Sequence, residues 1–225
     1  MKQLRRILVC LLVALVIAST TACSIVDSAL EDSMANLVQG NLDCIYLGKV
    51  TKDYAESVNS TVDECLADYK TGLEMEAEYF ANYFDIEYYT DDVKTKLIDL
   101  YREIYSHSSF TVGAASRLDD TIIVVKVDIK PIDIFAQLTD QSDVLLADFY
   151  NKYTQDVVDA MTDAEYQAYD KEWAETLISA CKKLLPNVGY EESVSLAVQV
   201  ILQDDAWVIA DESMGDIDTE IIYYP

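Results

Sequence analysis

A change of apolar period in the middle of the chain constrains the fold more than any other feature. Between residues 121 and 130, Ile123, Val125, Val127 and Ile129 occupy alternate positions, with Lys126 and Asp128 among those between them. Successive side chains of a strand point to opposite faces. The segment therefore predicts a strand with one wholly apolar face, which needs another layer to cover it. Pro131 closes it, because proline has no N–H to give a ladder. Residues 109–116 predict a partner strand across the Leu118-Asp119-Asp120 turn. Val194, Leu196, Val198, Val200 and Leu202 alternate with Ser193, Ser195 and Gln199, the pattern of a half-exposed antiparallel strand. Asp204-Asp205 then turns the chain into Trp207–Asp211.

The flanking segments have helical spacing. Residues 24–47 carry a stripe of Val26, Leu30, Met34, Leu37, Val38 and Ile45, ended by Gly48, and residues 51–58 add one or two turns. Ser60-x-x-Asp63 and Thr61-x-x-Glu64 both have the form of a capping box and open a second helix. Val62, Leu66, Tyr69, Leu73, Ala77, Phe80 and Phe84 form its stripe. Thr90-Asp91-Asp92 starts a third, with acids opposing the positive end of the helix dipole. Leu138, Leu145, Phe149, Tyr153 and Val157 predict a further helix. Thr162-Asp-Ala-Glu165 caps the next, lined by Tyr166, Tyr169, Trp173, Leu177, Cys181 and Leu184 and closed by Pro186.

The predicted fold class is α+β, with about five helices packed against a curved antiparallel sheet of about four strands in the order ααα-ββ-αα-ββ. Helix followed by hairpin occurs twice, a weak internal repeat. The expected organisation is a signal segment at 1–22, a tether at 23–29, one domain over 30–213 and a solvated tail over 214–225.

The N-terminus carries an address. Lys2, Arg5 and Arg6 precede an unbroken apolar run of 12 residues, Ile7 to Ala18. A helix needs roughly 20 apolar residues to cross a hydrocarbon core about 30 Å thick, so the run has the proportions of a signal-peptide core. Small residues Ser19 to Ala22 lead directly to Cys23. This arrangement resembles the lipobox of bacterial lipoproteins, whose cysteine receives a diacylglycerol and becomes the new N-terminus. Lipoboxes usually carry Leu, Val or Ile where Thr20 stands. The resemblance implies lipidation at Cys23 and attachment to the outer face of a bacterial cytoplasmic membrane. A soluble secreted protein is the alternative.

Charge narrows the partners. The formal net charge is −25, and removing the three positive charges of residues 1–22 takes it to −28. Nucleic-acid affinity rests on Lys and Arg neutralising phosphates, so nucleic acid is not expected. An acidic body has little attraction for anionic lipid, which leaves anchoring to the lipid chains. Half the residues are apolar, which marks a packed chain.

Of five cysteines, Cys10 lies in the signal and Cys23 is the lipidation candidate, leaving Cys44, Cys65 and Cys181. Outside the cell one disulfide is permitted. Cys44–Cys65 is the suggested pair, on neighbouring predicted helices, and three buried thiols is an equal alternative. His107 is the single histidine and there is no CxxC, so no zinc site, other metal site or cofactor is expected. His107 reads as a helix C-terminal residue. Asp91-Asp92, Asp119-Asp120 and Asp204-Asp205 read as helix-start and turn residues. Asp216-Ile-Asp218-x-Glu220 reads as part of the solvated tail.

Gly40-Asn-Leu-Asp-Cys-Ile-Tyr-Leu-Gly-Lys49, Tyr101-Arg-Glu-Ile-Tyr105 and Val127-Asp-Ile-Lys-Pro-Ile-Asp133 resemble segments of uncharacterised Gram-positive lipoproteins that carry a domain of unknown function. The resemblance covers most of residues 26–212. It implies an architecture similar to the nuclear-transport-factor-2-like, cystatin-like group, and it implies no activity.

The 16 tyrosines are the remaining signal. Tyr101 with Tyr105, Tyr150 with Tyr153, and Tyr166 with Tyr169 are spaced to share helix faces and are the candidate pocket aromatics. Their alternative role is to line a core with hydroxyls at its edge. Two functions follow. One is a non-catalytic module that binds a peptide, a protein or a small molecule. The other is a lipid-anchored enzyme with an acid–tyrosine pair in a cone-shaped pocket.

Overall fold

The computed structural model describes residues 25–225, with side chains from residue 28. The signal segment 1–22, Cys23 and the start of the tether expected at 23–29 lie outside the described residues. In chain order the elements are α1 (Ile25–Leu47), α2 (Lys52–Ser57), α3 (Val62–Tyr83), α4 (Asp91–Tyr105), β1 (Ser109–Arg117), β2 (Ile122–Lys130), α5 (Ile134–Asp140), α6 (Ser142–Leu145), α7 (Ala147–Lys152), α8 (Gln155–Asp159), α9 (Asp163–Leu184), β3 (Val194–Gln203), β4 (Ala206–Ile209) and α10 (Asp211–Ile221). The α+β class stands. The described residues hold ten α-helices where about five were expected, in the order αααα-ββ-ααααα-ββ-α.

Two of the differences have local causes. The single helix expected across Leu138–Val157 is four short ones, α5 to α8. Gln141 (φ −106°, ψ 10°) and Leu146 (φ −109°, ψ 4°) leave helical geometry at the first two joints. Tyr153 (φ −114°, ψ 72°) does so at the third. The solvated tail expected at 214–225 is largely helix α10. Met214, Ile217 and Ile221 recur at helical spacing and are buried. The Tyr46 hydroxyl donates to the Asp218 carboxylate.

The chain divides into two compact units. The first contains the described residues up to Lys70, Ser108–Pro131 and Glu191–Ile222. The second contains Thr71–His107, Ile132–Tyr190 and Tyr223–Pro225. Helix α3 contributes to both.

The first unit holds the sheet. Its order is β1-β2-β3-β4, every pair antiparallel. Ile123, Val125, Val127 and Ile129 are fully buried, as the alternation required. Val125 pairs with Val198 and Ile123 with Val200, both also buried. Leu202 is exposed instead of continuing the buried row, because the strand is already entering its turn. Asp204 (φ 49°) and Asp205 (φ 63°) both take left-handed geometry there, which a tight two-residue hairpin requires. A register shift between Val112 and Ala115 breaks the β1 edge. Helix α1 packs on β1 and β2, and α10 packs on β2 and β3. The Ser213 hydroxyl accepts the Gln199 N–H at 3.0 Å, which extends the polar satisfaction of β3 beyond β4.

The second unit is helical. Helix α9 packs against α4 and α5. Its N-terminus is closed by a reciprocal capping box. The Thr162 N–H donates to Glu165 at 2.9 Å, and the Glu165 N–H donates to the Thr162 hydroxyl at 3.4 Å. In the first unit Thr61 and Glu64 do the same for α3, at 2.9 and 3.2 Å. Asp91 and Asp92 occupy the first turn of α4, and the Thr90 side chain accepts the Val93 N–H.

Gly48 ends α1 with φ +61°, and a Cβ built there would lie 2.6 Å from the Tyr69 ring. An L-residue in left-handed geometry costs about 1–2 kcal/mol before any clash. Gly48→Ala is therefore expected to destabilise the protein by about 2 kcal/mol, read as a lower urea midpoint with unchanged slope. Gly215→Ala in α10 meets nothing within 4 Å and is expected to be neutral or stabilising by up to about 1 kcal/mol.

Candidate functional site

Helix α9 presents Tyr166, Tyr169 and Trp173 at spacings of three and four, which places them on one face. Short helix α7 lays Phe149 against that face. The Phe149 centroid is 5.2 Å from Tyr169 and 5.0 Å from Trp173. Tyr153, where α7 ends, closes the group at 4.8 Å from Phe149 and 4.9 Å from Tyr169. Tyr166 stacks beside Tyr169 at 5.5 Å and meets Tyr88 edge-on at 6.0 Å. Tyr150 lies 6.2 Å from Trp173. These separations favour the offset and edge-to-face arrangements of aromatic pairs.

The cluster has a dry centre and a wet rim. Phe149 is buried, whereas Tyr150 remains 48 % exposed. Tyr153, Tyr166, Tyr169 and Trp173 are half-buried. Val144 and Val157, on the adjoining short helices, are also exposed. The result is an aromatic face in the second unit, open along one side.

Its polar framework is fixed. The Trp173 indole N–H donates to the Phe84 carbonyl at 2.9 Å. Asp170, nearly fully buried, accepts the Tyr88 N–H at 2.6 Å. Glu172 accepts from the Tyr153 hydroxyl at 2.7 Å and from Lys152 at 2.6 Å. Those donors hold its carboxyl below the usual range, first through the Lys152 hydrogen bond and then the Tyr153 one. Lys152 also sits 4.7 Å from the Tyr153 ring centre, within cation–π range. Burial raises the phenols of Tyr150, Tyr166 and Tyr169, and neighbouring acids add to it: Asp143 at Tyr150, Glu87 and Asp170 at Tyr166, and Asp170 at Tyr169. At neutral pH these phenols are therefore uncharged donors on a face with a negative surround.

The structure thus divides the six candidate tyrosines. Tyr150, Tyr153, Tyr166 and Tyr169 are brought together. Tyr101 and Tyr105 are core residues, their rings edge-to-face at 6.0 Å. The Tyr101 hydroxyl is 2.5 Å from that of Tyr224. Tyr224 in turn packs against Tyr79, Tyr83 and Phe135. Sequence reading assigned Phe149 and Trp173 to core stripes and overlooked Tyr88 and Glu172. Trp173, four residues beyond Tyr169, was the available clue.

Other candidates carry less. Acid–tyrosine pairs exist at Tyr153–Glu172 and Tyr46–Asp218. Neither lines either of the two grooves described next. One, of about 410 Å³, lies along Lys96, Glu175, Ile178, Ser179, Lys182 and Lys183. Lys96 is paired there with Glu175 at 2.6 Å and with Asp92 at 2.9 Å, and Lys171 reaches Asp92 at 3.3 Å. This network fastens α4 to α9. The other, of about 280 Å³, runs over the outer sheet face along Ala114, Ser116, Val124, Lys126 and Ser195 to Ala197. His107 follows α4, and its carbonyl accepts from the Tyr190 hydroxyl at 2.8 Å. Asp119 accepts the Thr121 N–H at 2.7 Å in the hairpin turn. Cys44 and Cys65, the suggested disulfide partners, are described as thiols, as is Cys181, and all three are buried. Among the described residues no group of three His, Cys, Asp or Glu is arranged to hold a metal ion.

Against known proteins, no family model and no curated protein matches the chain. Its fold is similar to the crystal structure of YcdA from Bacillus subtilis subsp. subtilis str. 168, a protein named as a lipoprotein. The TM-score is 0.61 at 15 % identity, over 87 % of this chain. The chain spans 57 % of that neighbour's length.

Burial separates the roles of two adjacent aromatics. Phe149→Ala removes the centre of the cluster and is expected to cost about 3 kcal/mol. Tyr150→Ala removes a rim ring and is expected to stay within about 0.5 kcal/mol of wild type. Chemical denaturation followed by circular dichroism measures both.

Proposed function

We propose that this chain is a lipid-anchored cell-envelope lipoprotein on the outer face of a bacterial cytoplasmic membrane. In this reading it acts as a non-catalytic binding module through the aromatic face of its second unit. The observation that carries the binding role is the half-exposed cluster of Tyr150, Tyr153, Tyr166, Tyr169 and Trp173 around buried Phe149. Rings with free faces and fixed frameworks supply contact area at low conformational cost. The acids beside the rings favour a ligand that joins an apolar or planar part to a cationic group. A basic peptide segment has that chemistry.

Several observations support the address. Residues 1–23 have the order basic segment, short apolar run, small residues, cysteine. The fold is similar to that of a protein named as a lipoprotein. No helix among the described residues is long and apolar enough to cross a membrane. A single acyl chain gives marginal attachment, and a diacyl anchor supplies the second signal that stable attachment needs. Placement of the α+β architecture near the nuclear-transport-factor-2-like, cystatin-like group belongs to the same reading.

The anchor has a direct test. Intact-mass analysis of the membrane fraction is expected to give a chain beginning at Cys23 with a diacylglyceryl adduct, and Cys23→Ser is expected to abolish it. Unmodified Cys23 in a correctly processed soluble chain would overturn the assignment. The binding role is tested by titrating Trp173 fluorescence with basic, acidic and neutral peptides, with Trp207→Phe removing the other indole. Saturable change with basic peptides, weakened about tenfold or more by Tyr150→Ala with Tyr153→Ala, is expected. Equal responses to all three peptide classes, or no effect of the tyrosine substitutions, would contradict it.

A further inference from the structure

Cys44 lies near the end of α1 and Cys65 in the first turn of α3, 21 positions apart in sequence. Between them the chain turns at Gly48, forms α2 and enters α3 at the capped Thr61. That path brings the two helix ends side by side. Both cysteines are wholly buried, and the Cys44 thiol donates to the Cys65 carbonyl across 3.6 Å. Both lie in the first unit, whereas Cys181 is buried in the second beside Tyr101.

We propose that Cys44 and Cys65 are a disulfide-forming pair, which closes when the chain meets a disulfide oxidant and ties the end of α1 to the start of α3. The step is two successive thiol–disulfide exchanges. One cysteine, as thiolate, attacks the oxidant's S–S bond. It forms a mixed disulfide and releases the first oxidant thiol. The second cysteine then attacks the protein sulfur of that mixed disulfide and releases the second thiol. The two cysteines lose two electrons and two protons, and the oxidant's disulfide becomes two thiols.

The surroundings suit the oxidised form. The Asn41 amide donates to the Tyr54 hydroxyl at 3.2 Å, and the Asn41 carbonyl oxygen has no hydrogen-bond partner among the described residues. Burial, then the Cys65 and Asp68 charges, pushes the Cys44 thiol up to about 12. A thiolate is thus disfavoured at Cys44, while an uncharged disulfide adds no donor and no charge there. The same burial makes exchange slow in the folded state, because the thiolate is the attacking species. The bond therefore forms during folding or local opening, and once formed it is shielded from external thiols.

The full chain, purified in detergent, is equilibrated in glutathione buffers of increasing oxidised fraction, quenched in acid, alkylated under denaturing conditions and mapped by mass spectrometry. Sub-denaturing urea brings the exchange to equilibrium. The expected result is a linked peptide pair containing Cys44 and Cys65, with Cys181 alkylated. Oxidation is expected to raise the thermal midpoint by about 5–10 °C, a gain absent from Cys65→Ala. Full alkylation of Cys44 and Cys65 in the most oxidising buffer would overturn the pairing, as would a linked pair containing Cys181. The pairing does not depend on the envelope assignment. A chain that links in buffer but is recovered fully reduced from cells upholds the pair and counts against the oxidising location.

Discussion

The first unit depends on burying one face of β2. Ile123, Val125, Val127 and Ile129 are fully removed from water, at roughly 1.5–3 kcal/mol for each large apolar side chain. A single strand cannot cover that row. Flanking strands satisfy the backbone, and α1 and α10 supply the apolar cover. Because side chains alternate, slipping the register by one residue would expose the whole row. The pairing of Val125 with Val198 and Ile123 with Val200 follows from matching buried rows on adjacent strands. Features that otherwise look incidental serve this register. Asp204 and Asp205 accept left-handed geometry in the turn, and Ser213 satisfies Gln199 beyond the short β4.

The second unit is organised around helix α9. Helix α9 packs on α4 and α5, and its Ala174, Leu177, Ile178 and Cys181 are buried. The ion pairs of Lys96 with Glu175 and of Lys171 with Asp92 trim the edge of that contact. Another side carries Tyr166, Tyr169 and Trp173 into the aromatic face. The rings are held by hydrogen bonds at the indole of Trp173 and the hydroxyl of Tyr153, while their faces stay partly open. This combination of fixed position and retained exposure distinguishes the aromatic face from a packed interior. The Tyr101–Tyr224 contact, with both hydroxyls enclosed, is the interior counterpart.

Much of the fold was legible where a local rule was strong. The alternation in β2 and β3, the capping boxes at Thr61 and Thr162 and the acidic start of α4 each name an element that forms. The three breaks in the helix between Ile134 and Asp159 were not, because Leu138, Leu145, Phe149, Tyr153 and Val157 keep helical spacing even where Gln141 and Leu146 break the backbone. Helix α10 was hidden by its own polar face. Asp216, Asp218 and Glu220 read as a charged tail, although Met214, Ile217 and Ile221 mark a buried stripe. The division into two units arises from contacts between distant segments and cuts α3 with no change of composition. For the site, spacing identified tyrosines that share a face but could not say which face meets water. Tyr101 with Tyr105 and Tyr166 with Tyr169 differ by burial alone, and burial is set by tertiary packing.

The proposed role requires the aromatic face of the second unit to be an open, preformed surface. Hydroxyl-radical footprinting of the full-length chain tests it most directly, with oxidation of each tyrosine and tryptophan quantified by mass spectrometry. Strong oxidation of Tyr150, intermediate oxidation of Tyr153, Tyr166, Tyr169 and Trp173, and near-complete protection of Tyr46 and Tyr101 are expected. Protection of Tyr150 and Trp173 to the level of Tyr101 would contradict it, because the rings would then be core and no face would remain to bind anything.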